Sequence, residues 1–146
     1  MRLLAILPLL LILAACDSGS PAGPSPEPEP DDTFRLTGRY SGVGVPDDAR
    51  QASVLLIFGD DGVTPGTSSV GLVITILDGP GNSYEEVTGN ANFTLGADGA
   101  VSFTCDCAAD FRGRLAVQGS GTATEDEIDL ALTGGVRIEN VTLMRR

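Results

Sequence analysis

The residues with the most distinctive chemistry are two cysteines that are one residue apart, in the segment Cys105-Asp106-Cys107. In an oxidising compartment such a pair favours a disulfide. Residues i and i+2 of an extended strand lie on one face, with Cβ atoms farther apart than the roughly 3.5–4.5 Å that a disulfide needs. Pairing is therefore expected to require a turn, such as one at Ala108-Ala109-Asp110. Two reduced packing cysteines, a redox pair and a metal site are the alternatives.

The residue types that are missing exclude much of the remaining chemistry. The chain contains no His, and all nine of its basic residues are Arg. Without His there is no Ser–His–Asp or Cys–His relay and no His-ligated zinc. Without Lys there is no Schiff base and no P-loop lysine. A metal at the cysteines would need carboxylates such as Asp106 or Asp110 as further ligands. We therefore expect no enzyme, no catalytic residue, no resident metal and no cofactor.

Acidic residues are abundant but do not form a recognisable site. The clusters at Asp60-Asp61 and Glu125-Asp126-Glu127 lack the alternating ligand spacing of a calcium loop, and Asp-Gly turns and solvated strand ends account for them. The chain has 20 acidic residues and a net charge of −11, with a pI near 4.1. Because such a surface repels phosphates, we expect no nucleic-acid partner.

Residues 1–15 are typical of a targeting segment. Arg2 supplies a positive charge, and an apolar run from Leu3 to Leu13 follows. This run is shorter than the about 20 residues that a helix needs to cross a bilayer. It therefore predicts a cleaved signal peptide and not a stable membrane span.

The end of this segment, Leu13-Ala14-Ala15-Cys16, resembles the bacterial lipobox. The resemblance implies that Cys16 becomes the mature N-terminus and is the lipid attachment site, with a diacylglycerol thioether and usually an acylated amine such as a palmitate amide. Two or three acyl chains anchor a protein stably. A lipoprotein at the cell membrane or the outer membrane is implied, with its folded domain in the periplasm or at the cell surface. The alternative is an ordinary secretory signal in which Cys16 is incidental.

Residues 16–33 are expected to comprise the lipidated Cys16 and a spacer that follows it. Five prolines and five acidic residues lie here, and no apolar side chain is larger than those of Ala and Pro. Such a segment cannot bury enough surface to offset its chain entropy, so we expect it to be disordered or polyproline-like. Its extended reach would be up to roughly 50 Å. Its charge is expected to repel an anionic bilayer.

From Phe34 onward the sequence alternates between apolar and polar residues with a period of two, which is typical of half-buried strands. Asp-Gly and Gly-rich turns separate these runs, and a phase change near Glu139-Asn140 predicts a β-bulge. The pattern predicts an all-β domain over residues 34–146, a single antiparallel meander of about eight strands. We expect a closed or nearly closed up-and-down β-barrel, with a β-sandwich as the alternative.

The segment Gly38-Arg39-Tyr40 resembles the Gly-x-Trp element of the lipocalins, with Tyr in place of Trp. In that family the aromatic residue closes one end of the barrel beneath an arginine from the last strand. The resemblance implies a calycin-like barrel in which Arg145 takes that role. It implies nothing about the identity of a ligand.

Two hypotheses follow for the barrel interior. In one, the small residues expected to face inward (Gly38, Gly42, Gly89, Ala91 and Gly113) leave room for a small apolar ligand. The aromatic residues expected to line that space are Phe34, Tyr40, Phe93, Phe103 and Phe111. In the other, the glycines accommodate bulky neighbours across a filled core. We favour the filled core, because small barrels ordinarily fill by alternating small and large side chains.

The second and third predicted strands are apolar on both faces, and such strands are normally covered on both. Leu55, Ile57 and Val73 lie on the face opposite the predicted core. They predict a surface for a partner, either an envelope protein or a second copy in a homodimer. Cover by the loop over residues 60–68 and a place at the centre of a sandwich are the alternatives. The function expected is non-catalytic binding or a structural interaction in the envelope, with a lipocalin-like carrier as the alternative.

Overall fold

A computed structural model describes residues 34–47, 51–78 and 83–146, and these form eight β-strands. The strands are β1 (Arg39–Gly44), β2 (Gln51–Ile57), β3 (Gly66–Asp78), β4 (Ser83–Leu95), β5 (Ala100–Ala109), β6 (Gly113–Ala123), β7 (Glu127–Gly134) and β8 (Ile138–Arg145). Within these residues there is no helix of sufficient length and hydropathy to cross a membrane. The predicted signal peptide, Cys16 and the spacer lie outside the described residues.

The strands form a closed barrel in sequence order, as the alternating pattern predicts. Each strand pairs antiparallel with the next, and β8 returns to pair with β1. The β-sandwich alternative is therefore wrong. A register shift in the β7–β8 pairing leaves Glu139 and Asn140 between the pairs Leu132–Ile138 and Leu130–Val141, which confirms the predicted bulge.

The seam between β1 and β8 depends on two glycines. A Cβ atom on Gly42 would lie 2.0 Å from the carbonyl oxygen of Thr142, and one on Gly44 would lie 2.7 Å from Cγ2 of Ile138. No side chain fits at such distances. Gly42 therefore does not leave space for a ligand, because its missing side chain is what lets β8 approach β1 closely enough to close the barrel.

The alternation that begins at Phe34 does not mark the start of a strand, because β1 begins only at Arg39. Leu36 forms an isolated bridge with Val63 of the β2–β3 loop, through backbone hydrogen bonds of 2.9 and 2.8 Å, and is fully buried. Gly38 follows with a φ of +84° and is exposed, so the expectation that it faces inward is wrong. We call this end of the barrel, formed by residues 34–38, 58–65, 96–99, 124–126 and 145–146, the upper end.

At the opposite, lower end, an ion pair joins three separate parts of the barrel. Arg112, in the β5–β6 turn, donates from Nε and Nη2 to Oε2 of Glu85 on β4, at 2.8 and 2.6 Å. Its Nη1 donates to the carbonyl oxygen of Gly135 in the β7–β8 turn. The side chain of Glu85 is only 12% exposed. These hydrogen bonds from Arg112 hold the pKa of the Glu85 carboxyl below its ordinary value.

This ion pair predicts a pH-dependent contribution to stability. Because the pKa of Glu85 is lowered by folding, its contribution is present above the ordinary pKa of a glutamate and is lost as the pH falls through the lowered value. We expect Glu85→Gln to lower the free energy of unfolding by about 1 kcal/mol at neutral pH, a figure reduced for the partial exposure of Arg112. Below about pH 4 the difference should shrink.

The measurement is urea unfolding of both proteins across this pH range, with Glu139→Gln on the exposed bulge as the control. If Glu85→Gln lowers the free energy of unfolding by as much at low pH as at neutral pH, the ionic origin of the effect is contradicted.

Candidate functional site

Four aromatic side chains run across the barrel interior. The rings of Tyr40 and Phe58, and those of Phe58 and Phe93, meet edge to face at 5.3 Å, and Phe103 stacks on Phe93 at 6.5 Å. All four are buried. The hydroxyl of Tyr40 donates a hydrogen bond to the carbonyl oxygen of Glu125. Burial raises the pKa of the Tyr40 hydroxyl above its ordinary value.

Neighbouring side chains fill the space beside the glycines that face the interior. A Cβ atom on Gly119 would lie 2.1 Å from Cε1 of Phe103. One on Gly89 would lie 2.7 Å from Sγ of Cys105 and 3.1 Å from Sγ of Cys107. Together with the continuous cluster of buried apolar side chains, these contacts match the filled-core hypothesis at both positions.

The five residues expected to line a ligand site do not come together. Tyr40, Phe93 and Phe103 belong to the core, whereas Phe34 is only partly buried at the upper end. Phe111 is 76% exposed, so its predicted inward position is wrong.

Phe111 lies outside because the sixth strand starts later than the alternation suggests. The strand β6 begins at Gly113, which is exposed and has a φ of +76°, so Phe111 belongs to the turn before it. Gly113 therefore does not face inward either. The fourth ring of the core belongs to Phe58. The alternation along β2 predicts that Phe58 faces inward, but it is not among the five residues expected to line a ligand site.

A pocket of about 360 Å³ lies at the upper end, and it is open to solvent. It is lined by Phe34 and by residues 97–99 and 123–125 of the β4–β5 and β6–β7 turns. Because it lies between turns at the rim, it is not the enclosed interior site that a lipocalin-like carrier would need.

Arg145 lies close to Tyr40 at this end. The two residues are register partners across the β1–β8 seam, and Nη2 of Arg145 donates to Oγ1 of Thr37 at 2.6 Å. Tyr40 and Arg145 therefore lie side by side at the end of the β1–β8 seam.

Cys105 and Cys107 form a disulfide within β5, the pairing that the sequence favours for an oxidising compartment. The expectation that pairing needs a turn is wrong, because both cysteines lie inside the strand and face the core. Their Cα atoms are 5.3 Å apart, shorter than the roughly 6.6 Å of two residues in an extended strand. The strand therefore contracts locally and brings the two sulfur atoms together.

The neighbouring strand makes room for this disulfide. β4 and β5 pair on both sides of the cysteines, through Thr88–Ala108 and Asn92–Thr104. Gly89 lies on β4 between these pairs, and its missing side chain leaves the space that the two sulfur atoms occupy. The bond is thus built into the wall of the barrel and faces away from solvent.

Several apolar side chains lie on the outside of β1–β4, around the polar pair Ser53–Thr75. Leu55 pairs with Val73, and Leu77 pairs with Tyr84. We call this set the outer apolar face, and its members are Val43, Leu55, Ile57, Val73, Leu77 and Tyr84. Val43 is 57% exposed, Leu77 44% and Tyr84 58%, whereas the other three are partly buried.

The β2–β3 loop belongs to the upper end of the barrel. Its Val63 pairs with Leu36 at the upper end and is buried there in the core cluster.

The charged residue between the two cysteines makes an ordinary ion pair on the surface. Asp106 pairs with Arg114 at 2.6 Å on the outer surface, and this pair lowers the pKa of the Asp106 carboxyl. Asp106 therefore faces away from the cysteines beside it. Among the described residues, no group of three or more Cys, Asp and Glu side chains is arranged to hold a metal ion.

No protein-family model matches the chain, and neither a curated protein nor a solved structure is significantly similar to it.

The filled interior predicts that Gly119 cannot be enlarged. We expect Gly119→Ala to lower the free energy of unfolding by about 1–3 kcal/mol, because the new methyl group meets the packed ring of Phe103. Gly59→Ala is the matched control, since no atom lies within 4 Å of its Cβ position. Urea unfolding measures both. A Gly119→Ala protein as stable as the control would indicate free space beside Phe103.

The disulfide predicts that Cys105 and Cys107 carry no free thiol. Trypsin cleavage after Arg50 and Arg112 places both cysteines in one peptide, separate from Cys16. Without reductant, we expect this peptide to resist alkylation and to have a mass two hydrogens below that of the dithiol. After reduction, two alkyl groups should add. Double alkylation before reduction would show that the cysteines are unpaired.

Proposed function

We propose that the chain is a lipid-anchored protein of the bacterial envelope whose barrel binds another protein through the outer apolar face, without catalysis. The observation that carries this proposal is the filled interior. Because Phe103 occupies the space beside Gly119 and the disulfide occupies the space beside Gly89, binding is left to the outside of the barrel.

The outer apolar face is the surface best suited to that role. Val43 and Tyr84 are each more than half exposed, and Leu55 and Val73 pair with each other on the two strands between theirs. Removing such side chains from water favours association, at roughly 25 cal/mol for each Å² of apolar surface buried. Apolar side chains that are exposed together and rimmed by polar residues can form an interaction site.

Membrane attachment is supported by the sequence alone. The lipobox-like segment ending at Cys16 supplies the attachment point, and residues 17–33 supply a Pro-rich and acidic spacer before the barrel. Such a spacer would hold the barrel away from an anionic bilayer and leave the outer apolar face accessible to a partner. The absence of His and Lys from the whole sequence supports a non-catalytic role.

The carrier alternative has less support. A ligand pocket in a small barrel needs a cavity of a few hundred Å³ inside the wall. Here Phe103 occupies the interior space beside Gly119, and Cys105 and Cys107 occupy the interior space beside Gly89.

The test places a photo-reactive amino acid at Val73, or at Gln118 on β6 as the control, in the full chain expressed in a bacterial host. Gln118 is exposed and lies on a strand outside the outer apolar face. We expect one adduct of defined mass from position 73 in the membrane fraction and none from position 118. Leu55→Asp should abolish that adduct while the circular dichroism spectrum stays unchanged.

The same experiment with Cys16→Ser tests the anchor. The variant should keep its signal peptide uncleaved, because a serine at position 16 has no thiol to accept the lipid. Retention in the membrane with unchanged signal processing would overturn lipid anchoring. Equal cross-linking at positions 73 and 118, or none at either, would overturn the interaction surface.

A further inference from the structure

Two oppositely charged side chains flank the outer apolar face. Arg39 on β1 lies beside Ile57, and Glu86 on β4 lies beside Thr75. Both are exposed. The ion pairs found among the described residues join Arg112 to Glu85, Arg114 to Asp106 and Arg137 to Asp47. Arg39 and Glu86 take part in none of them.

The strand register places these two charges symmetrically about the pair Leu55–Val73. On β1, the register partner of Leu55 is Ser41, and the next outward residue toward the upper end is Arg39. On β4, the register partner of Val73 is Thr88, and the next outward residue toward the lower end is Glu86. Arg39 and Glu86 are therefore displaced by equal steps in opposite directions from the pair Leu55–Val73.

We propose that the partner of the outer apolar face is a second copy of this chain, related by a two-fold axis that lies in the plane of the contact. This axis crosses the face at the pair Leu55–Val73 and runs perpendicular to the line from Arg39 to Glu86. In a two-fold contact each copy presents the same surface, so a residue on one side of the axis meets a residue on the other side in the partner. Arg39 of each copy then lies opposite Glu86 of the other. This inference rests on the proposed function, in which this face binds a protein.

The face is self-complementary in both chemistry and charge. Leu55 and Val73 bring apolar surface to the centre of the contact, where water is excluded, and the reciprocal Arg39–Glu86 pairs lie at its rim. Rim charges of this kind select the partner and fix the register of the contact. A partner without the same diagonal arrangement of charges would leave both groups unpaired.

The size of the face predicts a weak dimer. Four strands spaced by about 4.8 Å and four outward positions spaced by about 6.6 Å span roughly 14 by 20 Å. This is less than the about 800 Å² that each partner buries in a standard interface. We therefore expect a dissociation constant in the micromolar range or weaker in solution. Anchoring both copies to one membrane would raise their effective concentration and favour the dimer.

The test is sedimentation equilibrium on the chain from residue 17 onward, over micromolar to millimolar concentrations. This form keeps the spacer and the whole barrel, whose strand pairing and core lie within one compact unit. The variants are Arg39→Glu, Glu86→Arg and the double variant carrying both changes. Gln118→Glu and Gln118→Arg are the controls for added charge of either sign on a strand outside the face.

We expect each single charge reversal to weaken dimerisation by about tenfold or more, because both symmetry-related pairs become repulsive. The double variant should regain the affinity of the original chain to within about threefold, since it only exchanges the two charges. Both Gln118 variants should dimerise like the original chain. Circular dichroism checks that every variant is folded.

A chain that stays monomeric at all concentrations would overturn the two-fold dimer, as would a double variant as weak as the single ones. A cross-linked adduct at Val73 with a different protein would then leave the proposed function standing without this inference. A monomer that also yields no adduct at Val73 would overturn both.

Discussion

An eight-stranded barrel encloses a channel that is just wide enough for its own side chains, and the contact between Phe103 and Gly119 shows how this chain meets that limit. The ring of Phe103 occupies the position that a side chain on β6 would otherwise take. Phe93, Phe58 and Tyr40 then continue the aromatic row to the opposite wall. Because this row spans the interior, the barrel closes around a solid core.

A solid core leaves the outside of the barrel as the surface available for recognition. The two apolar faces of β2 therefore have different roles: Val54 and Leu56 are fully buried in the core, whereas Leu55 remains partly exposed outside. A closed barrel also has no free strand edge that could pair with another chain. In the proposed function, recognition then depends on side chains of the outer wall, where apolar and charged residues occupy defined register positions.

The sequence predicts the inward and outward sides of the strands well, because side-chain orientation alternates along a strand whatever its neighbours are. It also predicts the bulge at Glu139-Asn140, since one extra residue reverses the alternation locally. It fails where position depends on another part of the chain. Phe111 continues the alternation but lies in a turn that ends at Gly113. The ion pair between Glu85 and Arg112 joins residues that are distant in sequence, and no local pattern marks it.

The disulfide illustrates the same dependence on distant residues. By local geometry alone, Cys105 and Cys107 are too far apart in an extended strand, and the contraction of β5 is possible because Gly89 on the neighbouring strand has no side chain. A bond that closes so short a loop removes little chain entropy, about 1.6 kcal/mol by the loop-length relation. Its sulfur atoms are also buried, out of reach of an attacking thiolate. The disulfide is therefore best understood as part of the core, in which two joined sulfur atoms fill the space beside Gly89 just as the ring of Phe103 fills the space beside Gly119.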